Sequence, residues 1–424
     1  MADAFVTKTQ WEGLFKVVYN DVLEKLPYEN FIAQRDFNFK NTKKVGKNFQ
    51  FPILTSLEHG YAYGTPNSTL TLPDAVPSAV ITATVSPYQG LLKSVMNYEA
   101  AAAAAGGPES FKAGTQFLFE QMLFSHRKRK EIGLWYGQTE LALVASISTK
   151  VITVTTAEWA PAVFAGMEGA LVRICDAGGT AWRTNLAGTE SIFKITAVNI
   201  DSRTVTVEGV TTADAPNAVV ATDRIFFKGQ ADISGGALTH NEAHGVQAIL
   251  ENSGTLWGVP AASYSLWRAA AKAVGTANLS LDNIFEGTGL GAARGMDGDV
   301  SLYMNLQTWR KILTNQAALR VYDVKYSKNA LENGAMELVF YAQTGQVKLI
   351  GSGYIKEGFA FMVQPKKWFR VGSRDIGFQI PGLSGQMFDL DPTYGGIRIQ
   401  TYDSQAPVTT NVGHNVVFSG ILNS

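Results

Sequence analysis

Apolar residues follow a helical period most clearly in residues 108–137, PESFKAGTQFLFEQMLFSHRKRKEIGLWYG. Gly106 and Gly107 separate this stretch from the alanine run before it, and Pro108 suits a first helical position, where a backbone N–H is not needed. Gly137 is a typical residue for the end of a helix. We therefore predict one long helix over 108–137, about 40 Å in length.

The two halves of this predicted helix differ in polarity. Apolar residues surround most of the first half, which indicates burial on all sides; they are Phe111, Phe117, Leu118, Phe119, Met122, Leu123 and Phe124. Four consecutive cations follow, Arg127, Lys128, Arg129 and Lys130. At about 100° per residue they point in every direction, so we expect the helix to start in an interior and end in solvent or against an anionic partner. Both alternatives remain open: a solvated face, or a DNA-facing or inter-subunit cluster.

The first 41 residues carry one short helical pattern and one aromatic-rich stretch. Trp11, Phe15, Val18, Tyr19 and Val22 recur at helical spacing, and YENFIAQRDFNFK follows. So few residues cannot bury these aromatic side chains alone, so we interpret residues 1–41 as an N-terminal arm.

Residues 42–98 change to an extended pattern. Residues 46–54 and 79–85 are strand-like, and 91–96 is a third candidate strand. Residues 55–78, between the first two strands, are rich in Gly, Pro, Ser and Thr. An isolated hairpin is marginally stable in water, so we expect this long hairpin to lie on a neighbouring subunit. The apolar residues expected to make that contact are Leu57, Tyr61, Tyr63, Leu70 and Leu72.

Residues 141–231 form a separate all-β pattern. Strand-like segments recur at short spacing, separated by turns such as Ala177-Gly178-Gly179. Five or six strands in so short a segment predict a small barrel or sandwich, inserted between the long helix and the rest of the chain.

The remainder predicts an α+β structure. Helices are expected from a capping box at Thr239 through residue 252, over 263–274, after Ser280, and after Asn305. Strands are expected in DVSLYM, ELVFYA, QVKLIG, FAFMVQP, GIRIQTY and HNVVFSGI.

The charge of the chain is balanced and its charged fraction is low. The chain has 36 basic and 36 acidic residues, a net charge of zero, and only 17 % charged residues against about 25 % in ordinary soluble proteins. A balanced charge argues against a protein that coats nucleic acid electrostatically. A surface poor in charge is better explained if other subunits cover much of it.

Sequence signals for localisation are few. Cys175 is the single cysteine, which fits a reducing compartment, and we expect it to be packed rather than reactive. The first residues lack the pattern of a signal peptide, and no apolar run approaches the roughly 18 residues of a membrane span.

Motifs for chemistry are weak throughout. His240 and His244 have a metal-compatible spacing but no evident third ligand, so we interpret them as surface histidines. Residues 287–292, GTGLGA, follow a helix-like segment rather than a strand, which favours a flexible loop over a dinucleotide site. Asp297-Gly298-Asp299 lacks the later positions of a calcium loop. We predict no catalytic, cofactor-binding or metal-binding residues, although an active site assembled from dispersed residues stays an alternative.

The order of these elements resembles the major capsid protein of tailed bacteriophages, the HK97-like capsid fold also found in encapsulin shells. The resemblance is carried by residues 46–54 and 78–101 for the extended loop, 111–137 for the spine helix, 300–313 for the axial domain, and 396–421 for the returning peripheral strands. It covers nearly the whole chain except 141–231.

The resemblance implies an α+β architecture with six parts. They are an N-terminal arm (1–41), an extended loop (42–98), a peripheral domain (99–140) with spine helix 108–137, an inserted all-β domain (141–231), an axial domain (238–362) and a return to the peripheral domain (363–424). It also implies a structural, non-enzymatic protein, assembled in the bacterial host cytoplasm and located in the virion capsid.

The partners implied by the resemblance are further copies of the chain and other head components. Copies would form hexamers and pentamers of an icosahedral shell around double-stranded DNA. Other implied partners are a separate scaffolding protein, a portal and an optional decoration or cement protein, with no membrane. The alternatives are an encapsulin-type shell and, from another class, a β-rich tail or adhesion protein.

Overall fold

The computed structural model describes residues 30–44, 47–97, 114–211, 214–314, 337–343, 345–378, 388–390 and 396–423. The helix predicted around Trp11 and the predicted start of the long helix at Pro108 lie outside these residues. Within them, the structure has both helices and strands, in agreement with the predicted α+β class.

The helices of the described residues are mostly short. In chain order they are α1 Ile32–Asp36, α2 Gly114–Tyr136, α3 Pro161–Phe164, α4 Val246–Leu250, α5 Leu281–Ala292 and α6 Leu306–Thr314. Single 3₁₀ turns occupy Thr156–Glu158, Ser265–Trp267, Pro365–Lys367 and Val412–His414.

Strands make up most of the regular structure. The first twelve are β1 Phe39–Lys44, β2 Phe49–Ser56, β3 Ala79–Val85, β4 Tyr88–Asn97, β5 Ala142–Ser148, β6 Val151–Val154, β7 Leu171–Cys175, β8 Phe193–Asn199, β9 Thr204–Gly209, β10 Arg224–Phe227, β11 Ala231–Ser234 and β12 Ala237–His240. The rest are β13 Thr255–Leu256, β14 Val259–Pro260, β15 Ala270–Ala277, β16 Val300–Met304, β17 Glu337–Ala342, β18 Gly345–Gly351, β19 Phe359–Val363, β20 Trp368–Gly377, β21 Phe388–Leu390, β22 Gly396–Thr409 and β23 Val416–Ile421.

Three β assemblies surround α2. One sheet has the order β1-β20-β22-β21, and β4 pairs along β22 from Tyr88 opposite Gln405 to Asn97 opposite Gly396. Six strands close a barrel in the order β10-β5-β6-β9-β8-β7. A six-stranded sheet has the order β15-β23-β19-β16-β18-β17. The structure thus has a closed barrel, the first of the two forms predicted for 141–231.

Strands β2 and β3 form the predicted antiparallel hairpin, from Phe49 opposite Val85 to Leu54 opposite Val80. Aromatic rings anchor its base. The Phe49 ring lies 6.1 Å from that of Phe369, and the Phe51 ring lies 6.3 Å from that of Trp257. The hairpin therefore projects from a fixed base.

The burial of α2 along its described residues differs from the predicted one. Phe119, Leu123 and Phe124 in its apolar part are only half-buried, whereas Trp135 and Tyr136 near its end are fully buried. The helix does not end in solvent, because the barrel, α1 and the six-stranded sheet all pack around its last turns in one continuous core. The prediction of a wet end was wrong for these last turns, whereas Arg127 and Arg129 are exposed and Lys130 lies against the Asp403 carboxylate. Sequence periodicity does not show which elements pack against a helix from elsewhere in the chain.

Gly137 ends α2 for a reason of space. A Cβ atom at this position would lie 2.1 Å from the carbonyl oxygen of Ala243, while the left-handed backbone conformation falls on the next residue, Gln138 (φ 66°). Glycine is required here by the close approach of the chain that leads into α4.

The described part of the predicted arm is docked on its own chain. Ile32, Ala33 and Phe37 are fully buried. The carboxylate of Glu131 accepts hydrogen bonds from the backbone N–H groups of Ala33 (2.7 Å) and Gln34 (3.1 Å) at the start of α1. The segment around α1 is thus packed onto the body of its own chain.

Two predicted helices are wrong. Thr239 lies in β12 and its hydroxyl donates to the carbonyl of Asp232, so no capping box forms; the helix is only Val246–Leu250 and follows Gly245. The alanine-rich segment predicted as a helix over 263–274 instead contains strand β15, which pairs in parallel with β23. Strand pairing overrides local helix propensity at both places, with the neighbouring strand β11 at Thr239 and with the distant strand β23 at β15.

Two predicted helix caps are confirmed. The Ser280 hydroxyl accepts a hydrogen bond from the N–H of Asn283 (3.2 Å) at the start of α5. The Asn305 side-chain oxygen accepts one from the N–H of Gln307 (2.9 Å) at the start of α6.

The end of the chain divides between two sheets. Strand β23 lies between β15 and β19 of the six-stranded sheet, so the end of the chain does not belong wholly with β20 and β22. Helix α4 contributes Val246, Ile249 and Leu250 to the core around α2 rather than to the separate core of that sheet.

The glycine-rich segment 287–292 is helical, and the predicted flexible loop was wrong. Gly287 faces the buried Phe418 ring, and a Cβ atom there would lie 2.3 Å from the ring. Gly289 instead faces the side-chain amide of Gln343. A Cβ atom on Gly289 would lie 3.2 Å from the nitrogen of that amide. Close packing of α5 on β23 explains the first glycine.

We expect Gly287→Ala to lower the free energy of unfolding by roughly 1–3 kcal/mol, because the added methyl group overpacks a rigid core. Gly289→Ala is the matched control, and its better helix propensity should stabilise the protein by up to about 1 kcal/mol. Urea unfolding of both variants measures the effect. Equal stability of the two variants would contradict the packing explanation.

Candidate assembly surface

The tip of the β2–β3 hairpin exposes the five apolar side chains that the sequence singled out. Their exposed fractions are Leu57 63 %, Tyr61 75 %, Tyr63 91 %, Leu70 58 % and Leu72 90 %. The chain over residues 57–78 is irregular, as expected from its glycine and proline content. The Tyr61 and Tyr63 rings contact each other edge to face, with centroids 4.8 Å apart.

Three further apolar residues of the hairpin are exposed and were missed. They are Leu54, Val76 and Val80. Along β2 exposure alternates, so Leu54 falls on the same open face as Gln50 and Pro52. That alternation is readable in the sequence, but it does not say which of the two faces meets the body. Clustered exposed apolar side chains are typical of protein-protein contact surfaces.

The basic run of α2 is spread over several contacts instead of forming one surface. Lys128 is buried, and its ammonium group donates to the carbonyl of Ala165 at the barrel. Burial, with a smaller effect of neighbouring Arg129, lowers the pKa of Lys128 to about 8. The Arg129 guanidinium lies over the Phe227 ring of the barrel, 3.4 Å from its centroid.

Lys130 faces the opposite side, toward the β4–β22 pair. Its ammonium group lies 2.7 Å from one carboxylate oxygen of Asp403, and His126 Nε2 lies 2.7 Å from the other. His126 Nδ1 lies 2.7 Å from the Thr401 hydroxyl. Burial acts to raise the pKa of Asp403, but the charge of Lys130 and the His126 hydrogen bond outweigh it and hold the pKa at about 2.

Gly90 completes this network. A Cβ atom on Gly90 would lie 2.2 Å from the Asp403 carboxylate. Only glycine therefore lets β4 pair with β22 beside this carboxylate. Sequence reasoning missed His126, Asp403 and Gly90, because nothing local links residues so far apart in the chain.

The Arg127 side chain is exposed. Among the described residues, no aromatic ring lies under its guanidinium as Phe227 lies under that of Arg129. The backbone carbonyl of Arg127 accepts a hydrogen bond from the Gln34 amide (2.6 Å). The run therefore connects α2 to the barrel, to β22 and to the segment before β1. This geometry leaves Arg127 and the outer side of Arg129 as its accessible charge.

The two histidines interpreted as surface residues are half-buried. Burial lowers the pKa of both His240 and His244, and it favours their neutral forms. Within the described ranges, no cluster of three or more His, Cys, Asp or Glu side chains has the arrangement of a metal site. Cys175 is buried in β7, as predicted.

Of the helices in the described residues, none combines the length and apolar character needed to span a bilayer.

Comparison with known proteins identifies the fold by structure alone. Neither a protein-family model nor a curated protein sequence matches the chain. A chain from the cyanophage A-1(L) capsid asymmetric unit superposes with a TM-score of 0.55 and 10 % identity, over 98 % of this chain and 99 % of that one.

Two other structures match over similar lengths. A chain from the capsid of an empty GTA particle has a TM-score of 0.49 and 8 % identity, over 99 % of this chain and 100 % of that one. A chain from Mycobacterium phage Bobi has a TM-score of 0.44 and 11 % identity, over 98 % and 99 %. The fold assignment rests on the cyanophage chain: this protein has the fold of a phage capsid protein, as the resemblance predicted.

We expect the Asp403 network to make stability depend on acid pH. The folded-state pKa of about 2 lies below the usual 3.8, so the carboxylate stabilises the fold above about pH 4, and this contribution of about 2 kcal/mol is lost as the pH falls from 4 to 2. Asp403→Asn removes it. The stability difference between wild type and Asp403→Asn, from urea unfolding at pH 7, 4 and 3, should therefore shrink as the pH falls.

Asp201→Asn, at an exposed turn of the barrel, serves as the surface control. A wild-type advantage over Asp403→Asn that stays constant from pH 7 to pH 3 would show that the charge of Asp403 is not what matters.

Proposed function

We propose that this chain, which has a phage capsid-protein fold, is the major capsid protein of a tailed phage. In this proposal it is a structural protein, not an enzyme. Copies form hexamers and pentamers of an icosahedral head that encloses double-stranded DNA, and the chain follows the HK97-like plan. The observation that carries the proposal is the projecting hairpin with its exposed apolar tip.

The hairpin supports assembly because the apolar side chains at its tip are not buried by its own chain. Its base is anchored by Phe49 and Phe51, but the tip exposes several large apolar side chains to water. Burying one such side chain in an interface is worth about 1.5–3 kcal/mol. A neighbouring subunit that covers the tip would supply this energy, and the rigid base would hold the hairpin in position to reach it.

The charge balance also supports a shell. A net charge of zero and a charged fraction of 17 % suit a surface largely covered by identical neighbours, and they suit an interior that encloses DNA without binding it tightly. The accessible charge of Arg127 is the part of the basic run open to DNA or to a neighbour.

The barrel would serve as an inserted domain fixed to the body. Backbone N–H groups of Glu357 and Gly358 donate to carbonyls of Trp159 (3.0 Å) and Ala157 (2.7 Å), and the buried Lys356 ammonium pairs with Glu158. Such fixation suits either display on the outer surface or bracing of neighbouring subunits.

The proposed partners follow from this role. They are further copies of the chain, a separate scaffolding protein, a portal, packaged DNA and an optional decoration protein, with assembly in the host cytoplasm. The related alternative, an encapsulin-type compartment, predicts particles without DNA or portal. A β-rich tail or adhesion protein predicts no closed particles at all.

We expect Tyr63→Asp combined with Leu72→Asp to abolish particle formation while the fold persists, because both side chains project into solvent in the single chain. Removing two apolar side chains from the interface of each subunit should raise the concentration needed for assembly by tenfold or more. Negative-stain microscopy and sedimentation of the expressed protein measure this, with circular dichroism to verify folding.

Leu186→Asp is the matched control, since Leu186 is also an exposed large apolar side chain, at 64 %, but lies on the barrel. Particles at wild-type yield from the Tyr63/Leu72 variant would contradict the proposed role of the hairpin. Absence of particles from the wild-type chain, with and without its scaffolding protein, would contradict the shell itself.

We expect Arg127→Gln to weaken salt-dependent DNA binding without reducing stability. The slope of log affinity against log salt should fall by about one for each phosphate that Arg127 no longer neutralises. Lys366→Gln, another exposed cation, is the control. DNA binding at a series of salt concentrations and the DNA content of particles measure the effect. An unchanged slope would assign the Arg127 charge to subunit contact or to solvation.

A further inference from the structure

A pocket of about 210 Å³ opens at the base of the β2–β3 hairpin, and we call it the hairpin-base pocket. Its lining comes from the end of β3, the start of β4, the turn between β13 and β14, residues 243–244 and residues 406–407 of β22. The N–H of Thr84 donates to the carbonyl of Trp257 (2.9 Å), and the Ser86 hydroxyl donates to the side-chain oxygen of Asn48 (3.0 Å). These contacts fix the sides of the pocket, so it is already formed in the single chain.

The lining is apolar where it is buried and polar where it is accessible. The buried lining residues are Val85, Trp257, Ala406 and Pro407. Ser86 is exposed and His244 is half-buried, and no charged side chain is among the described residues that line the pocket. Burial, with a smaller effect of His240, lowers the pKa of His244, so its neutral ring can accept a hydrogen bond. The pocket therefore suits an uncharged aromatic ring that ends in a hydroxyl group.

Tyr63 at the hairpin tip is a side chain of this kind. It is 91 % exposed, more than Tyr61, whose ring it contacts edge to face. The chain is closely packed at the next residue, because a Cβ atom on Gly64 would lie 2.8 Å from the Leu70 side chain. A tyrosine ring contributes a large apolar area when it is buried, and its hydroxyl then needs a hydrogen-bond partner. The tip thus presents a side chain whose burial requires both an apolar cavity and a polar acceptor.

The length of the hairpin separates Tyr63 from the pocket of its own chain. The two sides of the hairpin stay together from Phe49 to His59, whose N–H donates to the carbonyl of Val76 (3.1 Å). At about 3.3 Å per residue, this stretch extends by about 33 Å from the base. Residues 60–63 could return by at most about 14 Å. A pocket that receives Tyr63 therefore belongs to a second copy.

Each copy then offers one tip and one pocket, which are different surfaces. A contact between unlike surfaces repeats from one copy to the next, and it closes into a ring when the rotation between copies permits. Closed rings are what hexamers and pentamers require.

We propose that the Tyr63 ring of one copy inserts into the hairpin-base pocket of a second copy, with its hydroxyl donating to the His244 ring, and that copies are joined head to tail in this way. The inference rests on the proposed shell function and names the surface that receives the hairpin tip. The ring packs against Trp257 and Pro407, and the exposed Ser86 lies at the pocket mouth beside the backbone of the incoming tip.

Disulfide trapping in the assembled full-length protein tests the proposal. The native Cys175 is buried, and burial raises the pKa of its thiol to about 11, so it gives little background reaction. Tyr63→Cys combined with Ser86→Cys should form interchain disulfides on mild oxidation. A head-to-tail contact links every copy to the next, so a non-reducing gel should show a ladder that extends beyond the dimer and ends at the hexamer. The control pair, Tyr63→Cys with Leu186→Cys on the barrel, should give at most one tenth of that yield.

Other results would overturn the inference in distinguishable ways. Particles that form without this ladder would refute the pocket and leave the proposed shell intact. A band that stops at the dimer would show a reciprocal exchange between two copies, which contradicts the head-to-tail arrangement. An intrachain link would show that the hairpin folds back onto its own body. Absence of particles from the wild-type chain, with and without its scaffolding protein, would overturn the shell and this inference together.

Filling the pocket tests the same contact while the hairpin tip stays unchanged. Ser86→Trp places an indole ring at the pocket mouth and should raise the concentration needed for assembly tenfold or more, as measured by sedimentation. Ser148→Trp, at an exposed position of the barrel, is the control and should assemble like the wild type. Circular dichroism verifies that both variants fold. Assembly of a folded Ser86→Trp variant at the wild-type concentration would overturn the proposal.

Discussion

Pairing of buried charge along the second half of α2 is the constraint on which this fold depends. That half carries the fully buried Trp135 and Tyr136, and the same turns hold Lys128, Glu131 and His126 with almost no exposure. Buried charged groups are costly unless each finds a partner. The partners come from separate parts of the chain: the start of α1 for Glu131, the barrel for Lys128, and β22 for His126.

Because those partners are long-range, α2 is where the separate parts of the molecule are brought into register. The Tyr136 hydroxyl donates to the carbonyl of Tyr354 (2.6 Å) and accepts from the N–H of Lys356 (2.9 Å), which ties the helix end to the loop before β19. The same loop holds the barrel through Glu158. The barrel, although a separate block in the sequence, therefore shares one core with α2 and the hairpin base.

The hairpin is the counterpart of this internally satisfied centre. Its base packs against the core, whereas Tyr63 and Leu72 at its tip are almost fully exposed. The molecule thus separates contacts that a single chain completes from contacts that it leaves open, and the proposed shell uses only the latter.

The sequence by itself determined the features that depend on local pattern. Strand alternation with a Gly- and Pro-rich centre indicated the hairpin and its exposed tip, short strands with regular turns indicated the barrel, and Ser280 and Asn305 marked helix starts, since all of these arise from neighbours within a few residues. Where the local sequence is compatible with more than one structure, only the tertiary structure decided between them. It set the alanine-rich β15 beside β23 as a strand, it packed Gly287 against Phe418 within a helix, and it turned Lys130 toward Asp403 and Lys128 toward the barrel. Each of these depends on a partner distant in the chain, the nearest being Ala165 for Lys128 at 37 residues, and such pairings leave no signature in the residues nearby.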